Sequence, residues 1–268
     1  MVVLGGIDWR FADPNADLLI GFNFSGVATS PLTRGVIVQL GAQQGLSAAE
    51  IDEIVDRIGD IDQVAISVRN NQTVALITGH VAETPMQAPE AGVKFVQLSA
   101  NAILMGHTEA VNWAQFRMNF NGDLPELVQQ AASRQRSSEL WAIAAPGLAG
   151  PQAYNSPLRR IYLTVWLRER LISDVAFEFN GVPNQAMLNK FKSDLGTTTL
   201  EGNTAHIRMS MESSELNQKL AQIRAGALGQ PLAALIEAAR SLPAKDTSVP
   251  KRTKPVIYGL DDGPREVH

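Results

Sequence analysis

A chain of 268 residues, 45 % hydrophobic and 19 % charged, has the make-up of a globular protein and the length for one large domain or two small ones. The absence of cysteine removes disulfides, thiolate catalysis, iron–sulfur clusters and Cys-ligated zinc. A net charge of −4 argues against a general nucleic-acid binder.

Residues 8–16 form a polar, Pro-containing lead-in. Leu18, Ile20, Phe22 and Phe24 then fall on one face of a period-two strand. Ser30-Pro31 is a helix start, and Ser47-Ala48-Ala49-Glu50 is a capping box opening a helix with Ile51, Ile54, Val55 and Ile58 inward. A hairpin is expected from Val64 to Thr78 with its turn at Asn70-Asn71, and a second over Val93–Leu98 and Ala102–Met105, turning at Ala100-Asn101. Gly106-His107 leads into a helix capped by Thr108. Asp123-Leu124-Pro125-Glu126 starts a short helix that runs into a linker-like Ser133–Ser138.

Beyond it, the pattern predicts a strand over 139–145, a hairpin with Ile161 to Leu167 and Val175 to Phe179, a helix from Pro183, and a strand over 204–211. Helices follow over 214–224 and from Pro231. The stretch 244–268 reads as a basic, Pro-rich arm with a short strand, Val256-Ile257-Tyr258, expected to extend a sheet edge.

Part of this pattern occurs twice. Asp17–Phe24 is echoed by Glu139–Ala144. Gly26-Val27-Ala28 matches Gly147-Leu148-Ala149, and Ser30-Pro31-Leu32-x-Arg34 matches Ser156-Pro157-Leu158-x-Arg160. The expectation is an α+β chain of two tandem ferredoxin-like repeats, 1–122 and 123–243, with antiparallel sheets covered by helices on one face and the arm at 244–268. Charge divides unevenly between them. Residues 1–122 hold 6 basic and 12 acidic side chains, residues 123–268 hold 17 and 15.

Reactive motifs fail one by one. Gly21 to Gly26 has phosphate-loop glycine spacing, but Val27-Ala28 stand where Lys and Ser/Thr are required. Ser25 lacks the glycine of a nucleophile elbow, since Asn23 stands there. The carboxylates around Asp52 and Asp60 lack calcium-loop spacing, and His206 alternates with Arg208 on a polar strand face. Two histidines, His80 and His107, each follow a glycine at a strand end. If their strands are neighbours, the imidazoles lie along one edge with Glu83 or Glu109 as carboxylate, an acid/base or metal constellation. The structural alternative is that glycine ends each strand and histidine tolerates the turn.

Trp9, Trp113, Trp141, Trp166 and Tyr162 are scattered without Lys/Arg interleaving and are expected in core or half-buried roles. Trp166 and Tyr162 share one strand face that is either covered internally or open to a partner.

No run reaches the roughly 18 apolar residues of a membrane span. Met1 to Gly6 lacks the basic start and the length of a signal peptide. The chain therefore reads as soluble, with an exported origin open if a leader was removed.

The chain resembles an uncharacterised bacterial family of duplicated α+β proteins, many of them exported. The resemblance rests on Ala16–Gly21, Ser30-Pro31-Leu32, Asp60–Val64, Gly106–Val111 and the tail Val256–Glu266. It implies no activity and no catalytic residue. This chain departs from it by lacking a visible export signal and a middle helix in the first repeat. The resulting expectation is a non-catalytic binding, sensing or structural module, without cofactor or metal, acting on a protein or small-molecule partner. The rival is a hydrolase or metal-dependent enzyme using His80 and His107.

Overall fold

Two adjacent asparagines open the sheet. In the computed structural model, Asn70 and Asn71 both take positive φ (49° and 61°), the conformation of a tight hairpin turn. They join β2 (Ile61–Arg69) to β3 (Gln72–Gly79). The Asp17 carboxylate accepts from Asn70 N at 2.8 Å and fixes the turn. The structure describes residues 7–24, 47–80, 92–120, 122–146, 157–167, 169–184 and 196–212, with single positions between them. The sequence-predicted helices at 30–41, 214–224 and 231 onward lie largely or wholly outside the described residues, as do most of the helix from Pro183 and all of the arm at 244–268.

β1 (Leu18–Asn23) precedes α1 (Ala48–Gly59). At the start of α1 the capping box forms as expected. Ser47 N donates to Glu50 Oε2 at 2.8 Å, and Glu50 N donates to Ser47 Oγ at 3.3 Å. After β3 come β4 (Val93–Ser99), β5 (Ala102–His107) and α2 (Thr108–Met118). Thr108 is the first residue of α2 rather than its cap, and its hydroxyl donates to Gly92 O at 3.2 Å. α3 (Glu126–Ser137) runs through the stretch expected to be a linker. Its continuation has a cause: Ala131, Ala132 and Gln135 are fully buried, so packing outweighs the polar serines and arginines beside them.

The second half follows with β6 (Leu140–Ala144), β7 (Leu158–Leu167), β8 (Leu171–Phe179), β9 (Thr197–Glu201) and β10 (Thr204–Met211). The ten strands among the described residues form one antiparallel sheet in the order β4-β5-β3-β2-β1-β6-β7-β8-β10-β9. This corrects the expectation of separate sheets. β1 and β6 pair directly, from Leu18 opposite Ala144 to Phe22 opposite Leu140. It also departs from a ferredoxin-like unit, whose βαββαβ order interleaves its strands. Here α1 joins two antiparallel neighbours, β1 and β2.

Alternation sorts the side chains onto two faces. One carries Leu19, Ala65, Leu76, Leu104, Trp141 and Ile143, and packs against α2, α3 and a 3-10 turn at Trp9–Phe11 to form the core. The other carries Ile20, Ile66, Ile77, Leu163 and Phe177, all half-buried. The stripe Leu18, Ile20 and Phe22 thus lies away from α3. At the centre of the core-facing set is Gly21, where a Cβ would fall 2.1 Å from Gln135 Oε1 and 2.4 Å from the Trp141 ring. Among the described residues no helix is long and apolar enough to cross a membrane.

Candidate functional site

The two histidines singled out in the sequence sit at opposite ends of one ladder. β3 and β5 are antiparallel, with Val74 opposite Gly106 and Thr78 opposite Ala102. His107 Nδ1 accepts from Thr73 N at 2.9 Å at one end. At the other end, Gly79 N donates to Asn101 O at 3.0 Å and His80 N donates to Asp60 O at 2.7 Å. The span from Thr73 to His80 is roughly 24 Å at the usual strand rise. The antiparallel register therefore separates the pair, and they do not form one site. Glu109 is engaged elsewhere, accepting from Gln72 Nε2 at 3.0 Å. Among the described residues no three His, Asp or Glu groups gather as metal ligands would.

The glycines before both histidines have a structural reason. Gly79 and Gly106 take φ of 140° and 146°, and a Cβ on Gly106 would stand 2.1 Å from Thr73 O. Only a glycine lets these strands approach so closely.

Tyr162 and Trp166 do share a face, and α3 occupies it. Tyr162 is buried. Its hydroxyl donates to Glu178 Oε2 at 2.5 Å, and the Arg134 guanidinium lies 4.4 Å from its ring centroid. Burial, then the Glu178 hydrogen bond, push its pKa up to about 12. Trp166 Nε1 donates to the carbonyl of Ser137 at 2.8 Å. This face serves the fold.

His206, expected as a solvated strand residue, has partners instead. Its Nδ1 lies 3.0 Å from Asp174 Oδ2, its Nε2 is 3.9 Å from Glu201, and Arg208 Nε stands 3.6 Å from the same Asp174. These contacts tie β8, β10 and β9 together at the sheet edge.

A different arrangement emerges beside α2. Glu109, Trp113 and Arg117 recur at four-residue spacing along one helix face. They meet the β2–β3 hairpin and the segment after the 3-10 turn, lining an open cleft of about 210 Å³. Its floor is fixed by charge. Asp13 stands between Arg69, at 3.2 Å, and Arg117, at 3.7 Å, and its backbone N donates to Ser67 Oγ at 3.0 Å. Arg117 Nη2 donates to Phe11 O at 2.6 Å, while its Nε is buried without a partner among the described residues. Burial pushes the Arg117 guanidinium pKa down, opposed by Asp13 and reinforced by Arg69.

Trp113 stands at the edge of this cleft. At 55 % exposed it is more open than the core or half-buried role expected of it. Phe116 and Phe120 continue the ridge at 54 % and 56 %, with ring centroids 5.9 Å and then 4.6 Å apart. Three adjacent exposed aromatic rings, two on α2 and one just past its C-cap, are unusual for a surface without a partner. Their spacing of three and then four residues was the available signal.

No family model matches this chain, and no curated protein matches it. Solved structures of TP0453, a Treponema protein, do. Crystal form III aligns with a TM-score of 0.54 at 12 % identity, covering 81 % of this chain and 98 % of that one. Crystal form IV aligns with a TM-score of 0.52 at 12 % identity, covering 79 % and 95 %. The chain shares the fold of TP0453. At this identity the likeness to TP0453 concerns the arrangement of strands and helices alone, and residue roles are argued from this chain's own geometry.

Proposed function

We propose that this chain is a non-catalytic binding protein of an uncharacterised bacterial kind, built from two like α+β units fused edge to edge, with its working surface at the α2 cleft. The duplication is supported by strand order. Outward from the β1–β6 seam, both halves read first, second, third, fifth, fourth strand. The repeated Gly-apolar-Ala and Ser-Pro-Leu-x-Arg steps support it independently. The proposed units are residues 1–122 and 123–243, with 244–268 as a separate arm.

The binding reading rests on one observation. An indole more than half exposed borders a floor of ion-paired, hydrogen-bonded side chains. An apolar wall beside fixed polar groups is the composition of a small-molecule site. A ligand that binds only the folded protein raises its melting temperature by mass action. A thermal-shift screen of small polar compounds against the wild-type protein and W113A tests this. At least one compound should stabilise the wild type and not W113A, and NMR should recover it unchanged. Stabilisers that act equally on both proteins, or conversion of the ligand to a product, would refute the reading.

A further inference from the structure

The cleft's chemistry narrows its ligand, on the reading that α2 borders a binding site. We propose that it holds one neutral pyranose ring. The charges that line it balance: Asp13 and Glu109 against Arg69 and Arg117. A balanced site gives no net attraction to an anion or a cation. Its polar groups come as donor–acceptor pairs, Arg69 with Asp13 at 3.2 Å and Gln72 with Glu109 at 3.0 Å. A hydroxyl both donates and accepts. Vicinal hydroxyls therefore satisfy such pairs, each oxygen accepting from Arg69 or Gln72 while its hydrogen goes to Asp13 or Glu109.

A sugar's axial C–H surface is apolar, and a partly exposed indole is its natural complement. The Arg69 side chain is 45 % exposed, so a ligand can reach it. The size also fits one ring. At about 210 Å³ the cleft lies below the roughly 300 Å³ at which drug-sized pockets begin.

Isothermal titration calorimetry on the full-length protein tests this, with D-glucose, D-galactose, D-mannose and N-acetyl-D-glucosamine as separate probes and D-glucitol as an open-chain control. At least one sugar should bind with Kd of roughly a millimolar, as expected for about a dozen heavy atoms in a shallow cleft. Glucitol should not bind. Gln72→Ala and Trp113→Ala should each weaken binding about tenfold, with melting temperatures unchanged. The corresponding β-1,4-linked tetrasaccharides show the source, since tighter binding of the chain marks a glycan end and equal binding a free sugar. The sugar proposal is overturned if none of the four binds at about 20 mM, if glucitol binds as well, or if both variants bind like the wild type. Trp113-dependent stabilisers that are not sugars would sink the pyranose assignment and leave the binding reading standing. Loss of every Trp113-dependent effect would sink both.

Discussion

Replacing Gly21 by alanine tests the seam between the two halves. The added Cβ would stand 2.1 Å from Gln135 Oε1 and 2.4 Å from Cε2 and Nε1 of Trp141. Neither neighbour is free to move. Gln135 and Trp141 are fully buried, Gln135 Nε2 donates to Phe22 O at 3.1 Å, and Trp141 Nε1 donates to Gln135 Oε1 at 2.7 Å. Overpacking of this kind costs about 1–3 kcal/mol. Displacing the glutamine from a buried indole N–H costs about 1–3 kcal/mol more. The stiffer unfolded chain offsets about 0.5–1 kcal/mol. The net loss is therefore about 1–5 kcal/mol, and at roughly 2–4 °C per kcal/mol for a chain of this size the melting temperature falls by several degrees or more. Urea unfolding followed by tryptophan fluorescence measures it, since Trp141 lies at the site. Gly59→Ala is the control, because a Cβ there meets nothing within 4 Å. A G21A protein within about 0.5 kcal/mol of wild type would refute the packing of α3 on the β1–β6 seam.

Other consequences follow from the same geometry. Gly106→Ala places a Cβ 2.1 Å from the backbone oxygen of Thr73 at φ 146°, so it should destabilise by about 3 kcal/mol or more, read as a drop in urea midpoint. Tyr162 keeps its proton to about pH 12 when folded, against the ordinary value of 10.0 when unfolded. The folded state thus binds the proton more tightly. The stabilising contribution is complete below pH 10 and is lost as pH rises toward 12. Absorbance at 295 nm should show a late tyrosine step, and Y162F should abolish it. Asp174→Asn removes the charge between His206 and Arg208, and hydrogen exchange should accelerate along β9 and β10, which those contacts join to β8.

Much of the fold was legible because local chemistry spoke for it. Asn70-Asn71 has few uses other than a tight turn, and Ser47 with Glu50 closes its capping box as the spacing requires. Alternation in Thr204–Met211 placed β10. β9 escaped because Thr197 to Glu201 is an exposed edge with no apolar alternation to detect. α3 was cut short because, beyond Leu127 and Val128, its buried face depends on two alanines and a glutamine, residues that carry little hydrophobic signal. The single sheet was hidden for a related reason: the β1–β6 pairing is a tertiary choice, and each strand's own pattern fits two separate sheets equally well.

The candidate site was harder still. Asp13, Arg69 and Arg117 come from three distant segments and meet only through the β2–β3 hairpin and α2. His80 and His107 looked paired because each follows a glycine. Antiparallel register, which no local motif records, sends them to opposite ends. Trp113 was expected in a core or half-buried role because the aromatics are scattered without Lys/Arg interleaving, yet its four-residue spacing from Glu109 and Arg117 puts it on the charged side of the helix.

Chemical-shift mapping of a stabilising ligand tests the binding surface most directly. With a compound found by thermal shift, the ¹H–¹⁵N spectrum should change at the Trp113 indole, at Gln72 and along Glu109–Arg117, and stay unchanged around His206 and Asp174. Perturbations centred on the β8–β10 edge, or spread evenly over the molecule, would contradict the account.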